Sequence, residues 1–196
     1  MKLKEGKIIA GVSARHMHLS QKDLEILFGK DVKLTSIKDL GQPGQFACRE
    51  KVTIVGPKGK LENVRVLGPV RKDTQVEVSL SDSVKIGLKP PVRDSGDVKG
   101  SPGAKLIGLE GEVELTEGVI IAKRHIHMVP EEAERFGVKD KELVSVLCSS
   151  QGRSAVLMDV LIRVNPSYAL EFHVDTDEAN AVLLKTGDEI SIVEEM

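Results

Sequence analysis

The sequence predicts a mainly β chain with short α-helices, built as two pseudo-symmetric small β-barrel domains capped by helices. Three observations predict this. Hydrophobic residues make up 40% of the chain but aromatics only 3%, with no Trp, so a core must come from Val, Ile and Leu, and the β-branched members of that set favour strands. Strand-length apolar runs alternate with turn residues in hairpin patterns. A strand-to-helix motif also recurs about 110 residues after its first appearance, as a half-chain repeat would require.

In chain order, Lys7 to Ser13 reads as a strand leading into Arg15-His-Met-His18, and Ser20 with Asp23 opens a helix through Phe28. Val52–Val55 and Val64–Leu67 form a hairpin about Gly56-Pro-Lys-Gly59. Gln75 to Asp82 runs from a strand into a short apolar helix, and Pro90 to Gly103 is rich in turn formers and reads as a connector. The second half repeats the plan. Val119–Ala122 leads into Arg124-His-Ile-His127, and Pro130 suits a first helical turn, with Glu131 and Glu132 behind it. Leu143–Leu147 and Ala155–Val164 flank Gln151-Gly152, and Glu171 to Asp177 again ends in a helix. Aligning these endings sets Glu77 opposite His173, with an insertion separating the two halves in length.

Composition excludes several function classes. At 196 residues the chain buries an ordinary core without disulfide or metal staples. Lys plus Arg is 28 against 30 for Asp plus Glu, a net charge of −2, so no global field draws it to nucleic acid or to an acidic membrane. Cys48 and Cys148 are far apart and lack CxxC spacing, which reads as buried free thiols in a reducing compartment. The stretch Met1 to Lys7 is too polar for a signal peptide, and no apolar run nears the roughly 20 residues of a membrane span. The expectation is a soluble, cytoplasmic protein.

The chemistry is carried by the histidines. All five, His16, His18, His125, His127 and His173, fall in the duplicated elements. In an extended segment residues i and i+2 share a face, so each His-x-His pair offers two neighbouring imidazoles to a metal. A single such pair is ordinary surface chemistry; two in a duplicated context with a matched third residue point to metal. One site is then His16, His18 and Glu77, the other His125, His127 and His173. Three protein ligands leave positions open, the pattern of catalytic zinc. Zinc suits three imidazoles, while the carboxylate-bearing site also accepts iron, cobalt or manganese.

Arg71, Asp73, Gln75 and Glu77 alternate with Lys72, Thr74, Val76 and Val78, so an extended strand would turn Arg71 to the same face as Glu77, where a guanidinium could receive an oxyanion or phosphate. Arg15 and Arg124 point to the opposite face and read equally well as structural. Ser95, in Arg93-Asp-Ser-Gly-Asp97, lacks a nucleophile elbow and a dedicated histidine base, so this stretch reads as a turn. Gly41 to Gln45 and Gly56 to Gly59 lack phosphate-loop spacing. Asp175 reads as a helix cap, with orientation of His173 as the other option.

Val12-Ser-Ala-Arg-His-Met-His-Leu-Ser20, Gly41-Gln-Pro-Gly-Gln-Phe46, Val66-Leu-Gly-Pro-Val-Arg71, Pro91-Val-Arg-Asp-Ser-Gly96, Arg124-His-Ile-His-Met128 and Pro166-Ser-Tyr-Ala-Leu-Glu-Phe-His173 together resemble the PduL-type phosphotransacylases across nearly the whole chain. The resemblance implies reversible transfer of a propanoyl or acetyl group between coenzyme A and inorganic phosphate, with acyl phosphate and acyl-CoA as partners. It implies a dinuclear zinc site, two ions per chain, on the six ligands named above, with Arg71 as the catalytic, phosphate-binding arginine. Coenzyme A contacts would fall on Ser13, Lys38, Arg65, Leu67 and Asn180. It further implies that the first strand joins the C-terminal half, giving one domain over 15–122 and another over 1–14 plus 123–196. Relatives serving propanediol degradation inside bacterial microcompartments often carry an amphipathic extension before the first strand. The few polar residues before Lys7 favour the cytosol and acetate metabolism, with loading into a microcompartment lumen by a partner left open, as is a homo-oligomer. Two competing readings are a dinuclear metallohydrolase, which turns over without coenzyme A, and a metal-sensing protein without catalysis.

Overall fold

The computed structural model describes residues 1–195. In chain order the elements are β1 (Lys2–Leu3), β2 (Ile8–Ser13), β3 (His16–His18), α1 (Gln21–Phe28), β4 (Ser36–Asp39), β5 (Phe46–Val55), β6 (Lys60–Gly68), β7 (Gln75–Glu77), α2 (Leu80–Ile86), β8 (Val92–Arg93), β9 (Lys105–Ile107) and β10 (Glu112–Glu114). They continue with β11 (Val119–Ala122), β12 (His125–Met128), α3 (Pro130–Phe136), β13 (Leu143–Cys148), β14 (Ala155–Val164), β15 (Glu171–Asp175), α4 (Thr176–Ala181) and β16 (Glu189–Glu195). The mainly β class with short helices is as expected.

The chain divides into two compact units. Unit 1 takes Met1–Ser13, Gly41–Pro43 and the chain from Lys123 onward; unit 2 takes Ala14–Leu40 and Gly44–Ala122. Gly41–Pro43 interrupts the sequence of unit 2. It joins unit 1 because the Gln42 amide donates to the Ala169 carbonyl (3.0 Å) and accepts from the Ala169 N–H (3.2 Å).

Unit 1 is a closed six-strand barrel in the order β16-β13-β14-β12-β15-β2, with β1 added to β16. Closure is made by β2, which runs parallel to β15 through Ala10 and Phe172 and antiparallel to β16 through Ile8 and Ile190. Ile8, Ala10, Ile126, Ile162, Phe172 and Ile192 fill its centre with essentially no exposure. Phe136 from α3 and Ala179 from α4 join that core.

Unit 2 is a half-barrel, consistent with the second of the two small barrel domains expected. Its sheet runs β10-β9-β5-β6-β3-β7-β11-β8, with β4 on β5. The terminal strands β8 and β10 are only two and three residues long and do not pair with each other, so the sheet keeps two short edges. Met17, Leu24, Leu27, Ile54, Val66, Val76 and Leu106 form its core.

Local chemistry fixes where the strands give way to helices. Ser20 accepts the Asp23 N–H at the start of α1, and Ser79 accepts the Asp82 N–H at the start of α2. Pro130 opens α3, where the Glu132 carboxylate accepts the Val129 N–H. Asp175 caps α4 in a reciprocal box with Glu178. The arginine before each histidine pair is tied to the helix that follows β7 or β15: Arg15 to Asp82 on α2 (2.6 Å) and Arg124 to Glu178 on α4 (2.8 Å). Both cysteines are buried and free, and among the described residues no helix is long and apolar enough to cross a membrane.

Candidate functional site

Each unit builds the same arrangement on two antiparallel strands. In unit 2, β3 lies beside β7, with His16 across from Glu77 and His18 across from Gln75. In unit 1, β12 lies beside β15, with His125 across from His173 and His127 across from Glu171. The intervening residues, Met17 and Ile126, are fully buried in the cores, so strand alternation turns both histidines of a pair to the other face. The atoms of His16, His18 and Glu77 that could bind a metal lie within 4.8 Å of one another, as do those of His125, His127 and His173.

Hydrogen-bond accounting selects the ring nitrogens. The first histidine of each pair lies with Nδ1 against the carbonyl two residues earlier, His16 on Ala14 (2.9 Å) and His125 on Lys123 (2.8 Å). A carbonyl only accepts, so Nδ1 carries the proton and Nε2 keeps the lone pair. In the second histidine of each pair the roles reverse: Nδ1 of His18 and of His127 is buried and has no hydrogen-bond partner. A buried, unsatisfied nitrogen costs about 1–3 kcal/mol unless something occupies its lone pair. The donor set, two imidazoles with a carboxylate and three imidazoles, therefore fits a divalent transition metal in each unit.

The electrostatics keep these groups in ligand form. Burial, then the Arg71 guanidinium and the neighbouring His16, lower His18 to about 3. Burial, then His125 and His173, lower His127 to about 2. Both rings are neutral at ordinary pH, as coordination requires. Burial pushes Glu77 up, but His16, His18, the Ser95 hydroxyl and Arg71 outweigh it and hold the carboxyl well below its usual range.

The turn-rich stretch expected to be a connector has a second role. Its β8 pairs with β11 and brings Ser95 to the site. The Ser95 hydroxyl donates to Glu77 Oε1 (2.8 Å) and accepts from the Gln75 amide (2.9 Å) and from the Arg71 guanidinium (3.3 Å). Arg71 reaches this network by a route other than the one expected. The strand begins only at Gln75, and Arg71 sits outside it, bridged to Ser20 with its N–H on the Leu19 carbonyl (2.9 Å).

A family model for phosphate propanoyltransferase matches residues 9–185. A curated phosphate propanoyltransferase of Thermotoga maritima is 61% identical over 191 residues, 97% of this chain and 91% of the relative. Those of Priestia megaterium and Clostridioides difficile are 56% and 50% identical, over 90% and 97% of this chain and 81% and 90% of theirs. The chain belongs to the phosphate propanoyltransferase family. It is accordingly an acyltransferase.

The phosphate propanoyltransferase fold distributes the coenzyme A candidates over both units. In unit 2, Lys38 on β4 and Leu67 on β6 flank Ala47 of β5 from either side, and Arg65 pairs across from His16 while donating to the Cys48 carbonyl (2.7 Å). In unit 1, Ser13 pairs with Asp175, the cap of the helix that carries the exposed Asn180. Sequence reasoning assigned no role to Gln75, Glu171 or Gln42 and set Ser95 aside. The first two were within reach of the repeat, since each stands two residues before the aligned pair Glu77 and His173. Ser95 and Gln42 arrive through long-range pairing and leave no local signal.

Proposed function

We propose that this acyltransferase carries out propanoyl-CoA plus phosphate to propanoyl phosphate plus coenzyme A, with acetyl as an alternative acyl group. Two zinc ions per chain would assist, one held by His16, His18 and Glu77 and one by His125, His127 and His173. The observation that carries this reading is the pair of buried, partnerless Nδ1 atoms, on His18 and His127, at equivalent places of two three-ligand groups.

When bound, zinc supplies Lewis acidity for an acyl or phosphoryl oxygen. The chain's own residues do the rest. Arg71 receives the phosphate through its guanidinium fork, beside Ser95, and holds an oxygen for attack on the thioester carbonyl. Ser13, Lys38, Arg65, Leu67 and Asn180 bind coenzyme A. A phosphate oxygen bonds to the acyl carbon as the carbon–sulfur bond breaks, and the proton of hydrogen phosphate ends on the coenzyme A sulfur. No acyl-enzyme forms, in keeping with a Ser95 hydroxyl that donates to a carboxylate rather than to a histidine base.

Thiol release from propanoyl-CoA, followed with and without phosphate and before and after chelation, tests the reading. Phosphate-dependent release that is lost on chelation and restored by zinc is expected. Release by water alone, or undiminished release after complete metal removal, would overturn it.

A further inference from the structure

Four side chains, not three, share the face of each strand pair. In unit 2 they are His16 and His18 with Glu77 and Gln75 opposite; in unit 1 they are His125 and His127 with His173 and Glu171 opposite. The proposed ligands fill three places of each quartet. The fourth, across from the second histidine, changes identity in step with the third.

A carboxylate only accepts hydrogen bonds. Beside Glu77 stands an amide, and the Gln75 Nε2 donates to Glu77 Oε1 at 2.5 Å. A neutral imidazole has one N–H to donate. Beside His173 stands a carboxylate, with Glu171 Oε2 2.8 Å from His173 Nε2. Each fourth residue is itself held. Gln75 Oε1 accepts the Gly96 N–H (2.7 Å), and Glu171 Oε2 accepts from the Gln42 amide (3.0 Å). A Cβ on Gly11 would lie 2.6 Å from a Glu171 oxygen and one on Gly41 closer still, so backbone closes around this carboxylate from two segments. Each quartet carries one carboxylate, in the ligand place of unit 2 and beside the ligand in unit 1.

We infer that Gln75 and Glu171 are the positioning residues of the two sites, each complementary to the third ligand two residues further along its strand. The inference rests on the metal reading above. Glu171 keeps the His173 proton on Nε2 and so reserves Nδ1 for a metal; Gln75, with Ser95, holds Glu77 Oε1 and leaves Oε2 facing His16 at 3.4 Å. Partners of this kind fix tautomer and ring orientation and are typically worth about 10–100-fold in metal affinity.

The test uses full-length wild type and the variants Glu171→Leu, Glu171→Gln and Gln75→Met, with melting of the metal-free proteins checking that each folds. The tautomer of His173 is read by nitrogen-15 NMR without metal, and zinc affinity by competition with a chromogenic chelator. Glu171→Leu is expected to lose the Nε2–H form of His173 and to weaken one zinc equivalent about 10–100-fold while sparing the other. Glu171→Gln, still an acceptor, should keep the tautomer and fall between; Gln75→Met should weaken only the other equivalent. Wild-type affinity and an unchanged tautomer in Glu171→Leu would overturn the inference. If wild type itself takes up no zinc, the metal reading falls, and the tautomer alone then decides whether Glu171 positions His173.

Discussion

The two units answer one structural demand with different fillings. The residues directly beside the histidine pairs that point to the cores are Ile126 against Phe172 in unit 1 and Met17 against Val76 in unit 2. The closed barrel of unit 1 takes the larger aromatic at its centre, whereas the half-barrel of unit 2 takes a flexible Met and a small Val and adds short strands at its edges. On the opposite faces, the histidine pairs and their hydrogen bonds to the carbonyl two residues back are the same. The lesson is that closure and core volume can change while the spacing that presents the histidine pairs is kept, because alternation along a strand separates the two faces.

Removing one equivalent histidine from each unit should give the largest effects. His18→Ala and His127→Ala are each expected to lose about one zinc equivalent and to lower acyl transfer more than about 100-fold, measured by metal analysis and thiol release. Loss of both equivalents from one substitution would break the picture of two separate groups. Core truncation comes next and should separate the units. Phe172→Ala is expected to cost about 3–5 kcal/mol, and Val76→Ala at the equivalent register about 2 kcal/mol, both by denaturant unfolding of the metal-free protein.

Smaller still are the arginine ties. Arg15→Ala and Arg124→Ala should each cost about 1–2 kcal/mol. Arg15→Ala should be the larger because it strands Asp82, whose side chain is 9% exposed, against 23% for Glu178. The smallest difference is expected at the thiols. Burial is the first cause that raises both Cys48 and Cys148, to about 11, so at pH 8 only about a thousandth of either is thiolate. Alkylation of folded protein should be slow at both and quicken as pH rises toward 11, with denaturation abolishing the protection. Fast labelling of one cysteine alone at pH 8 would show that its unit opens more readily.

What was legible in the sequence was local and periodic. The His-x-His spacing, the turn-flanked hairpins, the Ser20 start of α1, Pro130 and the alignment of Glu77 with His173 all follow from residues near one another in the chain. What was not legible depended on pairing between distant segments. The short strands β8, β9 and β10 are too brief to show a period, so the open edge of unit 2 and the delivery of Ser95 to Glu77 could not be read. Arg71 was placed near the site by an alternation that does not exist; residues 71–74 lie outside the ladder, and its guanidinium arrives through Ser95 instead. Gln42 belongs to unit 1 through bonds to Ala169 and Glu171 that no short window contains.

The pairing of β2 has a consequence for how the chain must be made. Ile8 is synthesised before any of unit 2, yet its partner Ile190 follows only after all of it. At roughly 5–20 residues per second the strand waits on the order of ten to forty seconds without its ladder. Unit 2 has its whole segment available before then and can condense during synthesis, whereas unit 1 cannot close until the C-terminal strand is free. The long loop closure makes β2 the late step of folding, and its alternation of buried Ile8 and Ala10 with exposed Ile9 leaves an apolar edge in need of shielding meanwhile.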